Sequence, residues 1–280
     1  MIRRSALTLP DGKRVAVCLT VLLETWSEGA APSYSVQTTP LKSGTVNHAG
    51  ISWASYGGRE GVYRVLRALD RHGVPATFFT SARCVEVYPD AVRAVVTAGH
   101  DLAGHAYTQD GLLAYLDADE ERATIRRSLD LLNTLAPRPV TGWLSPVLAF
   151  TPRTAGFLAE AGLAWHGDVN YADVPHVVAT PNGPLVAIPN SDFTDNRVLR
   201  ASPSDYVDVY TRTLDYLREH EKGSFLAIAL HCQFGGRPLM IAALDEILKY
   251  FKRFSDVWIV RHEELARWVI RTGASEELRA

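Results

Sequence analysis

The segment of residues 99–110, with the sequence GHDLAGHAYTQD, contains side chains whose spacing points to chemistry. His105 follows a short apolar stretch, where a barrel strand would deliver it to a catalytic face. A second histidine four residues later would complete a metal site, but the chain has Gln109 there. A glutamine amide is a poor, neutral zinc ligand, whereas its donor and acceptor orient a polar substrate well. We therefore expect Gln109 to bind substrate. His105 is left as a metal ligand, a donor to a substrate carbonyl or a buried structural histidine.

Three further candidates follow predicted strands. Glu24 leaves the apolar run of residues 14–23 close to Trp26. A carboxylate in such surroundings is expected to have a raised pKa and to act as a general base, unless it only caps the strand. His231 ends a strongly apolar segment and suits a general acid that protonates a leaving nitrogen, because imidazole titrates near neutral pH. Asp168 would orient an imidazole, bind a substrate N–H or cap a loop.

Other residues would shape and cover a substrate pocket. Arg237 lies in the Gly-rich segment of residues 234–238 and would clamp a carboxylate or a urea-like carbonyl. Residues 28–56 are rich in Pro, Gly, Ser and Thr without periodicity, which predicts a long loop that covers the site and excludes water. The remaining predicted substrate-binding residues lie at strand ends or near this loop. They are Trp26, Tyr56, Trp143, Ser145 and His166.

Alternating strands and helices must position these residues. The run at 14–23 is rich in β-branched side chains, as in a parallel strand that is buried on both faces. Further strands are expected at 76–80, just before His105, and at 141–144, 163–168, 185–188, 225–231 and 257–260. Helices are expected at 61–72, 89–98, 119–135, 152–161, 203–220, 239–251 and 263–270. Such repeated βα units imply a parallel sheet with helices outside and chemistry at the carboxyl ends of the strands.

Length, charge and cysteine usage narrow the class of protein. The 280 residues fit one large domain, so we expect residues 1–280 to form a single catalytic domain. Three widely spaced cysteines indicate reduced thiols and a cytoplasmic location. The net charge of −2, without a basic stripe, argues against nucleic acid, and no apolar stretch is long enough for a membrane span. Serine-hydrolase, phosphate-loop and dinucleotide-binding motifs are absent from the sequence.

Taken together, the chain resembles the polysaccharide deacetylase (carbohydrate esterase 4, nodulation-deacetylase-like) superfamily over residues 14–270. Within it, the chain looks most similar to the branch of metal-independent allantoinases and related cyclic-amide hydrolases. Short motifs spread along the chain carry the resemblance. They are YGGREGV at 56–62, PATFF at 75–79, AGH at 98–100 with His105, RPVTGW at 138–143, Asp168 before DVP at 173–175, LHC at 230–232 with GRP at 236–238, and VWIVR at 257–261.

The resemblance implies an α/β fold, a distorted (β/α) barrel of about seven parallel strands. The metal-dependent deacetylases of this superfamily use an Asp-Asp pair after the first strand and a His-x-x-x-His pair for zinc. Here VLLET at 21–25 keeps one carboxylate, and Gln109 replaces the second histidine. The allantoinase branch also replaces that histidine, but it has an Asn-Tyr-Glu-Glu-Gly-like opening and an aromatic residue near position 109. No cofactor is favoured; zinc or another divalent metal, if bound, would use Glu24 and His105.

These observations predict a hydrolase of non-peptide C–N bonds that acts on a small amide such as a cyclic imide, ureide or lactam. Glu24 would activate water with help from His105, and His231 would protonate the leaving nitrogen. One alternative is a zinc-dependent polysaccharide or peptidoglycan N-deacetylase with unconventional ligands, and another is a non-catalytic barrel that binds a small molecule. The expected partner is a small-molecule substrate, without nucleic acid or membrane, and the branch resemblance suggests a homo-oligomer.

Overall fold

The computed structural model describes residues 6–35, 39–199 and 201–272. Its strands form one curled sheet in the order β6-β7-β5-β4-β3-β2-β1-β8, and β9 also pairs with β1. The strands are β1 Val15–Leu23, β2 Thr77–Thr80, β3 Asp101–Gly104, β4 Gly142–Trp143, β5 Trp165–His166, β6 His176–Thr180, β7 Gly183–Ala187, β8 Ser224–His231 and β9 Val257–Ile259. The described pairs are parallel except β6 with β7. The prediction of an α/β fold with a distorted barrel of about seven parallel strands is confirmed, and the observed sheet is a curled half-barrel of mostly parallel strands.

Helices connect the strands and cover the outside of the sheet. They are α1 His48–Tyr56, α2 Val62–His72, α3 Cys84–Val87, α4 Pro89–Thr97, α5 Ala118–Asn133, α6 Thr154–Glu160, α7 Pro203–His220, α8 Pro238–Phe251 and α9 His262–Thr272. Local sequence sets several of their ends: α5 begins at a capping box of Asp117 and Glu120, and α2 ends at Gly73 in the left-handed conformation. None of the helices in the described ranges is long and apolar enough to cross a membrane.

The predicted loop at 28–56 is wrong in its second half, which contains α1. Asn47 begins this helix by accepting a hydrogen bond from the backbone N–H of Gly50 at 2.8 Å. Trp53 and Ala54 are buried against Trp26, so tertiary packing stabilises a helix that shows little periodicity in sequence. Residues 36–38 of the predicted loop lie outside the described residues.

The alternation of side chains along the strands decides which residues reach the inside of the curled sheet. On β1, the residues from Val15 to Leu23 with odd numbers pack towards the helices, whereas Ala16, Cys18 and Leu22 pack in the inner core. The same period of two directs Glu24, directly after β1, to the inner face. His105 follows Ala103 and His231 follows Ala227 on that same face. The carboxyl ends of β1, β3 and β8 therefore bring these three residues together.

A glycine-rich π-helix at Gly57–Gly61 allows the start of α2 to approach the segment after β8. A Cβ atom at Gly61 would lie 1.9 Å from the backbone oxygen of Cys232, and the Cα of Gly61 would lie 2.5 Å from a Cβ atom at Gly236. Single π-turns within helices often mark functional sites. Here the close approach fixes the backbone next to His231.

We expect Gly61→Ala to destabilise the protein by about 1–3 kcal/mol, because the added methyl group meets backbone atoms that must move. Denaturant-induced unfolding measures this change. Gly156→Ala is the matched control: it lies inside α6, where an added Cβ has its nearest neighbour at 3.7 Å. That variant is expected to be neutral or slightly more stable, since alanine is the better helix former. Equal stability of both variants would contradict the close approach.

Candidate active site

The carboxylate of Glu24 lies between two histidines at the carboxyl end of the sheet. Its Oε1 atom is 3.4 Å from Nε2 of His105 and 3.8 Å from Nε2 of His231. The Glu24 side chain is completely buried, and both histidines are buried as well. Burying a charge is costly unless it is paired, so this arrangement of three titratable groups needs compensating partners.

His231 obtains its compensation from Asp195, a buried residue of the short helix Asp195–Val198. Nδ1 of His231 lies 2.5 Å from Oδ1 of Asp195, and the backbone N–H of His231 donates to Oδ2 at 2.8 Å. Burial alone would lower the pKa of His231, but the negative charges of Asp195 and Glu24 outweigh it and raise this pKa to about 9. His231 is therefore an imidazolium at neutral pH, with a proton on Nε2 towards Glu24.

The second oxygen of Glu24 is held by amide and phenol donors. Gln233 donates from Nε2 to Oε2 at 2.6 Å, and the hydroxyl of Tyr34 lies 3.5 Å from the same oxygen. Burial is the largest influence on the pKa of Glu24 and would raise it. The charge of His231, followed by the interactions with His105 and Gln233, outweighs burial, so that the pKa of Glu24 is lowered. The expectation of a raised pKa was wrong because it took no account of these neighbours.

The hydrogen bonds of His105 direct one ring nitrogen into the site. Nδ1 donates to the backbone oxygen of Leu144 at 2.6 Å, so Nε2 is the ring nitrogen that faces Glu24. Neither Nε2 of His105 nor Oε1 of Glu24 has a hydrogen-bond partner among the described residues. The two atoms are only 3.4 Å apart, so a water molecule would contact both of them from the side of the cavity. The pair is thus arranged to hold and deprotonate a nucleophilic water.

Asp168, a predicted catalytic residue, anchors a neighbouring segment. Its carboxylate accepts hydrogen bonds from the backbone N–H of Ser145 at 2.7 Å and from the Ser145 hydroxyl at 2.8 Å. Burial, opposed by these bonds, raises the pKa of Asp168 to about 6. Val147 and Leu148, just beyond Ser145, have φ angles of 46° and 56°, a strained backbone for such residues. We correct the role of Asp168 to positioning, because Ser145 engages both of its oxygens.

A cavity of about 270 Å³ opens above Glu24. Its floor is formed by the catalytic candidates and apolar neighbours, namely Leu22, Glu24, His105, Gln109, Leu144 and His231. The rest of the lining consists mainly of polar side chains from four segments, which follow β1, β4, β5 and β7. These residues are Tyr34, Ser145, Val147, Leu148, Asn170, Asn190, Ser191, Asp192, Thr194, Asn196 and Arg197.

The structure brings two of the predicted substrate-binding residues to this cavity, Gln109 and Ser145. Oε1 of Gln109 is buried and makes no hydrogen bond within the described part of the chain. The predicted contact of Gln109 with a polar substrate stays a prediction, for which this oxygen is an open acceptor. The other predicted substrate-binding residues, Trp26, Tyr56, Trp143, His166 and Arg237, lie outside the cavity lining.

Packing contacts explain why these side chains lie outside the cavity lining. Arg237 donates to the backbone oxygens of Gln233 at 3.1 Å and Trp53 at 3.3 Å, and its guanidinium stacks on Tyr56 with Cζ 3.7 Å from the ring centre. It stabilises the segment after β8 and is not available as a substrate clamp. The side chain of Trp26 packs with Trp53 in a small separate cluster.

The two remaining residues, Trp143 of β4 and His166 of β5, point to the helix-covered face of the sheet and do not reach the cavity. Trp143 packs in the core between sheet and helices, and its indole N–H donates to the Ser145 hydroxyl at 3.1 Å. His166 is buried, and burial, together with the charge of His176, lowers its pKa to about 4. His166 is therefore neutral at physiological pH.

Asp195, Gln233 and the polar segment of residues 190–197 are functional candidates that the sequence reasoning missed. A predicted strand ended at 188, so the polar run that follows it was a usable signal. Nothing local could show that Asp195 reaches His231, which is 36 positions away in sequence. Gln233 lies two residues after His231, and only the fold shows that it turns back to Glu24.

The donor set does not fit the zinc site of metal-dependent deacetylases. No group of three or more His, Cys, Asp or Glu side chains in the described ranges is arranged to hold a metal ion. Glu24 and His105 supply one oxygen and one nitrogen, and the nearby cavity residue Gln109 adds a neutral amide. Catalytic zinc takes three protein ligands, each normally imidazole, thiolate or carboxylate.

Comparisons with known proteins agree with this fold. A polysaccharide deacetylase family model matches residues 54–166. A peptidoglycan deacetylase from Helicobacter pylori is 20% identical over 252 residues, covering 77% of this chain and 86% of the relative. A probable polysaccharide deacetylase from Pseudomonas aeruginosa superimposes with a TM-score of 0.85 at 26% identity, covering 96% of this chain and 95% of the other. The Puue allantoinase superimposes with a TM-score of 0.87 at 27% identity, covering 98% and 96%.

The match to the polysaccharide deacetylase model is confined to residues 54–166, whereas the fold of a probable polysaccharide deacetylase and of an allantoinase extends over nearly the whole chain. The chain is a deacetylase-family hydrolase that acts on carbon–nitrogen bonds other than peptide bonds.

We expect Asp195→Asn to lower the pKa of His231 from about 9 towards neutrality, because the substitution removes the adjacent negative charge while keeping the size of the side chain. NMR titration of the histidine rings measures this change. Asp245→Asn is the matched control, since Asp245 accepts from His72 at 2.9 Å in another part of the fold. An unchanged His231 titration in Asp195→Asn would contradict the assigned pair.

Proposed function

We propose that this protein hydrolyses a small cyclic amide, such as an imide, a ureide or a lactam. The observation that carries the proposal is the ionised Glu24 between His105 and the protonated His231, at the floor of a cavity of about 270 Å³. Binding sites of drug-sized molecules typically measure about 300–1,000 Å³, so this volume suits a single small ring.

Gln109 supports a ring substrate. A carboxamide offers one acceptor and two donor hydrogens. In a cyclic amide the N–H and C=O groups lie on the same side of the C–N bond, so that both can pair with one carboxamide. In the acetamido group of an N-acetylated sugar they point in opposite directions. The free carboxamide oxygen at the cavity floor therefore favours the ring.

The geometry supports a complete proton sequence. Glu24 removes a proton from the water held beside His105, and the resulting hydroxide attacks the amide carbonyl to give a tetrahedral intermediate. His231 donates its Nε2 proton to the leaving nitrogen as the C–N bond breaks. Glu24 then returns its proton to His231, whose Nε2 is 3.8 Å from Oε1. The net reaction adds one water across the amide and opens the ring.

Similarity to an allantoinase supports the ring substrate, since allantoin is a cyclic ureide. Two sequence relatives are peptidoglycan deacetylases, which favours a second candidate, an N-deacetylase of polysaccharide or peptidoglycan. The zinc dependence of this candidate is an expectation from the sequence resemblance. Metal analysis of the purified protein distinguishes the two. Stoichiometric zinc, together with activity lost on chelation, would overturn the metal-free mechanism in favour of the second candidate.

We expect Glu24→Gln to lower the turnover of a cyclic amide on the order of 10²- to 10⁴-fold, because the substitution keeps the shape but removes the general base. Steady-state kinetics on a panel of five- and six-membered imides, ureides and lactams measures this effect. Glu28→Gln is the matched control, since Glu28 is exposed and lies four residues further along the chain. If the wild type binds these rings but turns over none of them, the protein is a binding barrel and not an enzyme.

The pH profile of kcat/KM follows from the two pKa shifts. Glu24 must be ionised, and its pKa lies below the usual 4.5, so activity should fall only when the pH drops below that value. His231 must be protonated, so activity should fall as the pH rises through about 9. In Asp195→Asn the alkaline limb should move to lower pH. An alkaline limb that is identical in both proteins would contradict the role of His231 as the acid.

A further inference from the structure

The exposed side chain of Arg197 lines the mouth of the active-site cavity. Among the residues that the structure describes, no acidic side chain forms an ion pair with its guanidinium and no aromatic ring stacks on it. Arg237, for which the sequence predicted a clamp, is engaged by Gln233, Trp53 and Tyr56. In the part of the chain that the structure describes, Arg197 is thus the guanidinium that remains available at the cavity.

The position of Arg197 links the cavity mouth to the acid at its floor. The helix Asp195–Val198 carries both residues: Asp195 is buried against His231, and Arg197 is exposed two positions later. The backbone N–H of Arg197 donates to the oxygen of Thr194 at 3.0 Å, which fixes the turn. A group bound at Arg197 is therefore held by the same short helix that orients the general acid.

The other charges around the cavity restrict where an anion can bind. Glu24 is negative at the floor, which excludes a second negative charge next to it. At the mouth, the carboxylate of Asp192 accepts from the Asn170 amide at 3.2 Å, and the neighbouring Asn190 and Asn196 are neutral. Among the described residues of the lining, Arg197 is therefore the positively charged side chain at the mouth, beside the carboxylate of Asp192. An anionic group of a ligand would bind at Arg197 while its neutral amide lies at the floor.

We propose that Arg197 binds a carboxylate carried by the substrate, so that the substrate is a small ring amide with an anionic side group. The inference rests on the proposed function and deepens it. A guanidinium binds a carboxylate through two parallel N–H···O bonds, which fix orientation as well as position. Binding at the mouth holds the ring with its amide directed towards Glu24 and His231.

Calorimetric titration with 5-carboxymethylhydantoin and its carboxamide isostere tests this inference. The titrations use the Glu24→Gln protein, which prevents turnover. Adding Arg197→Gln should weaken binding of the carboxylate on the order of 10- to 100-fold, the range for a lost charged hydrogen bond, and leave the carboxamide unchanged. Arg197→Lys should give an intermediate affinity, since it keeps the charge but not the fork.

Arg212→Gln is the matched control, because Arg212 is 81% exposed on α7 and pairs with Asp208 instead of lining the cavity. It should leave both affinities unchanged. Equal affinity for the two probes, no effect of Arg197→Gln, or no binding of the carboxylate would each overturn the inference. If the wild type hydrolyses no ring of the panel, but the Glu24→Gln protein binds the carboxylate probe more tightly than its carboxamide isostere, the proposed function is overturned and the inference is supported. Turnover of a carboxylate-bearing ring that is no faster than that of its neutral isostere and is unaffected by Arg197→Gln would support the proposed function but overturn the inference.

Discussion

The buried contact between Asp195 and His231 is the interaction on which the site depends. A histidine this deeply buried would be neutral without a partner, since burial disfavours the charged ring. The carboxylate of Asp195, 2.5 Å away, reverses this preference. The resulting positive charge keeps Glu24 ionised in a position where burial would otherwise protonate it. One ion pair therefore sets the protonation states of both the base and the acid.

The surrounding fold keeps these charges in place. Gln233 donates to Glu24 from the segment after β8, and the glycine-rich π-helix packs against that same segment. Arg237 stabilises it from the outside by stacking on Tyr56. These contacts make the loop after β8 rigid at the point where it carries His231. The site is preorganised by tertiary packing, because it consists of side chains that are far apart in sequence.

The site differs from the zinc site of metal-dependent deacetylases in the side chains that could bind a metal. The resemblance to metal-dependent deacetylases implies a zinc ion that is bound by carboxylate and histidine side chains. In this chain Gln109 supplies a neutral amide in place of the second histidine, and the cationic group beside Glu24 is His231. The chemistry of the site is therefore that of an acid–base pair with a free carboxamide next to it. This donor set is the physical basis for the proposed change of substrate.

Strand periodicity predicted the general location of the site, because Glu24, His105 and His231 each follow an apolar strand and the ends of parallel strands meet. Strand periodicity did not predict three features that depend on tertiary contacts. Asp195 could not be paired with His231 from sequence, since the contact depends on how the polar segment after β7 folds back. Arg237 was predicted to clamp the substrate because its stacking on Tyr56 is a tertiary contact, which the local sequence does not show. The helix α1 was missed because its packing partner Trp26 lies far from it in sequence.

Hydrolysis in ¹⁸O-labelled water distinguishes the opening of a ring amide from the deacetylation of a sugar. The protein is incubated with cyclic amides and, separately, with N-acetylated sugar oligomers. The masses of the products are measured by mass spectrometry. We expect a ring-opened product that contains one ¹⁸O atom in its new carboxylate, and no acetate from the sugars. Labelled acetate from the oligomers, with every ring left intact, would contradict the proposed ring hydrolysis.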